Sequence, residues 1–206
     1  MIKNIIFDMG RVLIEWAPEV IVAREGLNAE DSALLLREVF QCGEWAAMDH
    51  GWMSQDEGCR LICKRLPARL HENARHCVFD WWKAELRPIP GMAELVREVK
   101  RLGYGVYLLS NATSCLSEYF HRIPGSECFD GRIVSADVKM LKPEREIYAE
   151  LYRQYHLDPA ECFFIDDNIL NVDGAWLSGM NATVFFGDMQ RLRRELNEVG
   201  VPVEQP

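Results

Sequence analysis

The feature that most constrains this chain is a recurring pattern: short, unbroken apolar runs that each stop at a polar residue. Ile5, Ile6 and Phe7 stop at Asp8. Val106, Tyr107, Leu108 and Leu109 stop at Ser110 and Asn111, and Cys162, Phe163, Phe164 and Ile165 stop at Asp166, Asp167 and Asn168. Shorter runs at 132–134 and 183–186 complete the set. A run without polar alternation marks a strand covered on both faces, the habit of parallel sheets. Between the runs, apolar residues recur at helical spacing: Met92, Leu95, Val96, Val99 and Leu102, then Ile147, Tyr148, Leu151 and Tyr155, then Val172, Ala175 and Trp176. Asp188 opens a charged last helix, and residues 202–206 are expected to be loose. Strands alternating with helices predict right-handed crossovers, hence an α/β fold with a central parallel sheet and helices on both faces.

One stretch breaks the alternation. Residues 18–88 read as helical throughout: Asn28 is placed to cap a helix carrying Leu34, Leu35, Leu36, Val39 and Phe40. Ser54 with Glu57 fits a capping box before Cys59, Leu61, Ile62 and Leu66, and a third helix ends near Phe79, Trp81 and Trp82. About 70 helical residues between two strands far exceed a βα connection. With 206 residues, one core domain with a smaller insert is the natural division. The expected organisation is a core of residues 1–14 and 88–206 and a helical subdomain over 15–87.

Charge narrows the partners. Lys and Arg number 23 against 32 Asp and Glu, a net charge of -9, which excludes a broad nucleic-acid or anionic-membrane surface. No window approaches the ~20 apolar residues that span a bilayer, and a cytoplasmic location is expected, as a monomer or homodimer. The seven cysteines form no CxxC pair. Cys59 and Cys63 lie one helical turn apart without a partner set for zinc, so reduced, structural thiols are expected.

In open α/β sheets, ligands bind outside the carboxyl ends of strands. That rule turns the polar run endings into one constellation: Asp8, Ser110, Asp166 and Asp167, joined by Lys142 across a short loop. Pro143 is expected as the first residue of the next helix, with Lys142 at its mouth. Clustered carboxylates suit Mg²⁺, which is bound through one or two carboxylates plus substrate phosphate. A hydroxyl, exposed amides and a lysine match the needs of a phosphoryl group, and a carboxylate can attack phosphorus covalently.

Phe7-Asp8-Met9-Gly10, Leu109-Ser110-Asn111, Lys142-Pro143 and Phe164-Ile165-Asp166-Asp167-Asn168 resemble the four motifs of the haloacid dehalogenase superfamily, over nearly the whole chain. The resemblance implies a Rossmann-like three-layer core with a helical (C1-type) cap inserted after the first motif, and Mg²⁺-dependent phosphatase activity on a small phosphorylated substrate. It implies Asp8 as nucleophile and metal ligand, and the Gly10 carbonyl and Asp167 as further ligands with Asp166 beside them. It also implies Ser110 and the Asn111 amide on the phosphoryl oxygens, and Lys142 bridging nucleophile and phosphate.

One position departs from that pattern. The phosphatases usually carry a second Asp two residues after the nucleophile as general acid and base; here that residue is Gly10. The chain is similar in this to a bacterial subgroup resembling α-D-glucose-1-phosphate phosphatase, which implies a sugar phosphate as substrate. Dehalogenases proper normally carry an aromatic residue there. The alternative is a metabolite-binding or regulatory protein that lost turnover with the acid. Asp49 and His50 could face substrate or supply a proton, or be a capping Asp and a surface His. Arg11 could contact phosphate, and Asn171 is expected to brace the metal site. Trp45, Trp52, Trp81 and Trp82 could shape a sugar pocket or pack the cap core.

Overall fold

The apolar runs become the strands β1 (Asn4–Phe7), β2 (Gly105–Ser110), β3 (Gly131–Val134), β4 (Cys162–Asp166) and β5 (Asn181–Val184). The structure, a computed structural model, describes residues 1–84 and 86–204. All pairings are parallel, in the order β3-β2-β1-β4-β5. Alternate residues enter opposite layers. Ile5, Phe7, Val106, Leu108, Phe163 and Ile165 pack against one set of helices, whereas Ile6, Leu109, Cys162 and Phe164 pack against the other. Covering both faces explains why the runs carry no polar alternation. Ile5, Ile6 and Phe7 are fully buried, and each such side chain contributes about 1.5–3 kcal/mol.

The helices of the first segment are α1 (Pro18–Ala23), α2 (Ala29–Leu35), α3 (Gly43–Asp49), α4 (Gln55–Arg65) and α5 (His71–Arg75). The expected caps form: Asp31 N–H donates to Asn28 Oδ1 at 2.9 Å and Glu57 N–H to Ser54 Oγ at 3.2 Å. The segment closes around an apolar cluster of its own, including Ile21, Leu35, Val39, Met48, Ile62 and Val78. Its two ends run side by side, because Glu15 N–H donates to Arg87 O at 2.8 Å and Ile89 N–H to Leu13 O at 3.0 Å.

The rest of the chain supplies α6 (Met92–Arg101), α7 (Leu116–Tyr119), α8 (Ser135–Val138), α9 (Arg145–Tyr155), α10 (Ile169–Leu177) and α11 (Met189–Glu198). α6, α7 and α11 pack on one sheet face, α9 and α10 on the other. No helix among the described residues is long and apolar enough to cross a membrane. All seven cysteines are free.

Three local expectations need correction. β5 begins at Asn181 and ends at Val184, because its register on β4 runs from Phe163↔Asn181 to Asp166↔Val184 and leaves Phe186 beyond the ladder and exposed. Pro143 does not start a helix: Glu144 N–H bonds to Leu141 O at 2.8 Å, closing a turn, and α9 starts at Arg145. Residues 202–204 are tied down rather than loose. Val203 is buried, Arg193 donates to Glu204 O at 2.8 Å, and the Glu204 N–H donates to Glu98 at 2.5 Å. The remainder of that expectation, residues 205 and 206, lies outside the described residues.

Candidate functional site

The sheet order makes β1 the central strand, with chain order reversing between β1 and β4, the crevice where open α/β sheets bind ligands. Asp8 follows β1 there, its N–H donating to Ile165 O at 2.9 Å. Asp166 ends β4 alongside, and Ser110 ends β2.

Lys142 reaches the same point from the loop before α9. Its ammonium donates to Asp8 Oδ1 at 2.7 Å, to Asp166 Oδ2 at 2.7 Å and to Leu109 O at 2.8 Å. Those three bonds use all three of its protons. Lys142 is therefore committed to the two carboxylates, and a direct bond to phosphate would require it to exchange one of them. Burial pulls its pKa down, but the carboxylates of Asp166 and Asp8 outweigh burial and hold it above the usual lysine value. Burial raises Asp8 to about 6, with Asp166 adding to the rise and Lys142 opposing it.

Asp166 is saturated as an acceptor. Oδ1 takes the Asn168 N–H at 2.8 Å and Asn171 Nδ2 at 3.0 Å, while Oδ2 takes Lys142 and Asn171 Nδ2 at 3.1 Å. Asn171 thus braces Asp166, as its spacing suggested. Asp167 is half-buried beside it, raised by burial and by the Asp166 charge. Carboxylate oxygens of Asp8, Asp166 and Asp167 all lie within 4.8 Å of one another. An all-oxygen, multiply anionic set fits a hard divalent cation. Because Asp166 already accepts four hydrogen bonds, Asp8 and Asp167 are the better-placed direct ligands.

Asp8, Lys142, Asp167 and Asn171 floor a cavity of about 290 Å³, which Gly10, Ser110 and Asn111 also line, with Asp166 buried beneath it. The Asn111 side chain is turned to the loop, where Nδ2 donates to Lys142 O at 3.0 Å and Oδ1 accepts the Lys142 N–H at 2.9 Å. Arg11 sits at the rim with positive φ, donating through Nε to Trp16 O at 3.2 Å, its Nη1 3.8 Å from Asp167.

The opposite wall comes from the helical segment: Trp16, Trp45, Trp81 and Asp49. Trp16 packs edge-on against Trp81, with centroids 4.6 Å apart, and 5.9 Å from Trp45. Two of the four tryptophans singled out from sequence are therefore elsewhere. Trp52 is 74% exposed and stacks on His50 at 3.7 Å, and Trp82 stacks on Tyr119 at 5.3 Å outside the lining. His50 is buried, not a surface residue, and turns to Glu144 at 3.5 Å rather than to the cavity. Sequence reasoning passed over Trp16 as a wall residue. Its signal was an aromatic residue six positions after the first motif.

Comparison with known proteins agrees with this geometry. A sesquiterpene phosphatase of Aspergillus oryzae is 30% identical over 182 residues, covering 86% of this chain and 87% of its own. A D-ribitol-5-phosphate phosphatase of Bacteroides thetaiotaomicron is 27% identical, covering 84% and 86%. Among solved structures, a HAD-like family hydrolase of Porphyromonas gingivalis superposes with a TM-score of 0.73 at 21% identity over 97% of this chain and 98% of its own. A HAD family enzyme of Bacteroides thetaiotaomicron, solved with magnesium and inorganic phosphate, gives 0.69 at 23% identity over 93% and 99%. At those identities the solved structures share the fold. The haloacid dehalogenase-like hydrolase model matches residues 2–176, a span that holds all four strand-end motifs, and the chain belongs to that family.

Proposed function

We propose that this protein is a Mg²⁺-dependent phosphatase that hydrolyses a small organic phosphate monoester through a phospho-Asp8 intermediate, with residues 15–87 as a cap over the core of 1–14 and 88–206. The observation that carries this is the Asp8 carboxylate at the floor of the cavity, 2.7 Å from the Lys142 ammonium and grouped with two further carboxylates. Asp8 attacks phosphorus, and Lys142 keeps its carboxylate ionised and aimed. Ser110 and the backbone N–H of Asn111 receive the phosphoryl oxygens. Asp8, the Gly10 carbonyl and Asp167, backed by Asp166, would hold Mg²⁺, which supplies positive charge to those oxygens when bound.

The wall bears on the organic group. Trp16, Trp45 and Trp81 offer aromatic surface, while the cap contributes one polar side chain to the lining, Asp49. A sugar phosphate can stack a CH face on indole, but its several hydroxyls find few partners there. The wall suits a more apolar alcohol, the kind named for the Aspergillus oryzae relative.

Phosphate release with Mg²⁺ from farnesyl monophosphate, ribitol 5-phosphate and glucose 1-phosphate, measured beside Asp8→Asn, tests both levels. Turnover that favours the farnesyl ester and vanishes in Asp8→Asn is expected. A preference for glucose 1-phosphate restores the sugar-phosphate expectation. Equal turnover by both proteins defeats the covalent mechanism, and thermal stabilisation by an ester without phosphate release favours the regulatory alternative.

A further inference from the structure

The phosphatase reading leaves one proton unassigned. An alcohol leaving phosphorus must be protonated, and the position that would carry the acid is Gly10. Trp16 crowds that position: a Cβ built on Gly10 stands 3.3 Å from the Trp16 Cβ and 3.5 Å from its Cγ, so a side chain there needs Trp16 to give by a few tenths of an ångström.

A carboxyl-bearing residue of the helical segment lines the same cavity. Among the lining residues, Asp49 is the one titratable side chain that the helical segment contributes. It ends α3, and the core fixes its place. Ser135 Oγ donates to Asp49 O at 2.5 Å and also accepts the Ala112 N–H at 2.9 Å, so one hydroxyl ties Asp49 to the loop that follows Ser110 and Asn111. Two residues on, Gly51 has φ +75 and seats directly on Ala136, where a Cβ would meet the carbonyl oxygen at 2.2 Å. The carboxyl group itself receives the Trp45 indole N–H from one helical turn earlier.

We propose that Asp49 is the proton donor to the departing alcohol and the base that then activates water, supplying from the cap the acid that position 10 lacks. The assignment rests on the phosphatase reading. In the first step Asp8 forms a bond to phosphorus, the bond from phosphorus to the alcohol oxygen breaks, and that oxygen takes the Asp49 proton. In the second, the Asp49 carboxylate takes a proton from water as its oxygen bonds to phosphorus and the bond to Asp8 breaks. The protons balance, and Asp49 returns to its acid form.

The surroundings favour the acid form at rest. Burial pushes Asp49 up to about 7, opposed by the Trp45 hydrogen bond. Cys115 and Tyr119, which adjoin it from the core, are themselves pushed up by burial and stay neutral. The charged groups lining the cavity with it are Asp8, Arg11, Lys142 and Asp167.

The test compares two leaving groups in the full-length protein with Mg²⁺: p-nitrophenyl phosphate, whose phenolate departs unaided, and n-hexyl phosphate, whose alkoxide does not. Asp49→Asn is expected to lower kcat/KM for the hexyl ester by about 100-fold or more and for the aryl ester by less than ~10-fold. Asp49→Glu should recover part of the hexyl activity. In the unsubstituted protein, hexyl turnover should fall above about pH 7, a limb absent from Asp49→Asn. Equal losses on both esters, or no loss, with Asp8→Asn inactive, overturn the assignment of Asp49 alone. If Asp49→Asn does not fold, a hexyl profile without that alkaline limb overturns it. Unsubstituted protein that hydrolyses neither ester defeats the phosphatase reading and this assignment with it.

Discussion

Asn111 and Lys142 hold each other by two hydrogen bonds that run in opposite directions, side-chain amide to backbone carbonyl at 3.0 Å and backbone amide to side-chain carbonyl at 2.9 Å. The segment after β2 and the segment before α9 are thus locked as one unit. Asn111→Ala keeps the backbone amide but releases the lock. Stability should fall by about 1–3 kcal/mol in urea unfolding, and kcat by about tenfold as Lys142 loses its aim.

Lys142→Met removes the one cation that, among the described residues, contacts both Asp8 and Asp166. Breaking a buried charge arrangement by deleting one partner costs about 3–5 kcal/mol. Asp8, which burial raises to about 6 and Lys142 holds down, then binds its proton more tightly folded than unfolded. Stability rises with pH only where the unfolded state binds more protons, so here it should fall as pH rises. Thermal unfolding without added metal is expected to show a larger deficit at pH 8 than at pH 5. The same deficit at both values would argue against the charge explanation.

Mg²⁺ should stabilise the protein by binding at Asp8 and Asp167. At a free concentration 100 times the dissociation constant, the gain is about 2.7 kcal/mol, which is roughly 5–10 °C in Tm for a chain of this size. EDTA should reverse it, and Asp167→Asn should need a much higher Mg²⁺ concentration for the same shift in differential scanning calorimetry.

Gly174 in α10 lies beneath the Lys142 loop, where a Cβ would meet Pro143 O at 2.8 Å, Pro143 Cβ at 2.9 Å and Tyr148 Oη at 2.9 Å. Gly174→Ala should improve helix propensity yet destabilise the protein by about 1–3 kcal/mol through overpacking. Displacing Lys142 should lower kcat more than it changes KM, as steady-state kinetics would show. An unaltered kcat would mean that the loop absorbs the methyl group elsewhere.

The sheet and the convergence of Asp8, Ser110, Lys142, Asp166 and Asp167 were legible in the sequence because buried parallel strands advertise themselves as unbroken apolar runs. The polar residue at the end of each run then marks one rim of the sheet. The end of β5 was not legible, since Phe185 continues the apolar run into the core after strand pairing has stopped at Val184. Pro143 read as a helix start, but the Leu141 to Glu144 hydrogen bond makes the segment a turn. The direction in which Asp49 faces was beyond reach, because it depends on Ser135, 86 residues away, and on the fit of Gly51 against Ala136. Gly174 gave no signal either. Its reason is a contact with a distant loop rather than a turn of its own.

The ladder that joins Glu15 to Arg87 and Ile89 to Leu13 brings both ends of the helical segment to one spot on the core. A segment hung this way can be exchanged as a cassette, cut at two adjoining points, with the sheet and its rim of carboxylates left uncut. New tastes in organic cargo can then be inherited by swapping one block of sequence, provided the block restores a carboxyl group at the place of Asp49, while the carboxylates and lysine at the sheet rim descend unaltered beneath it.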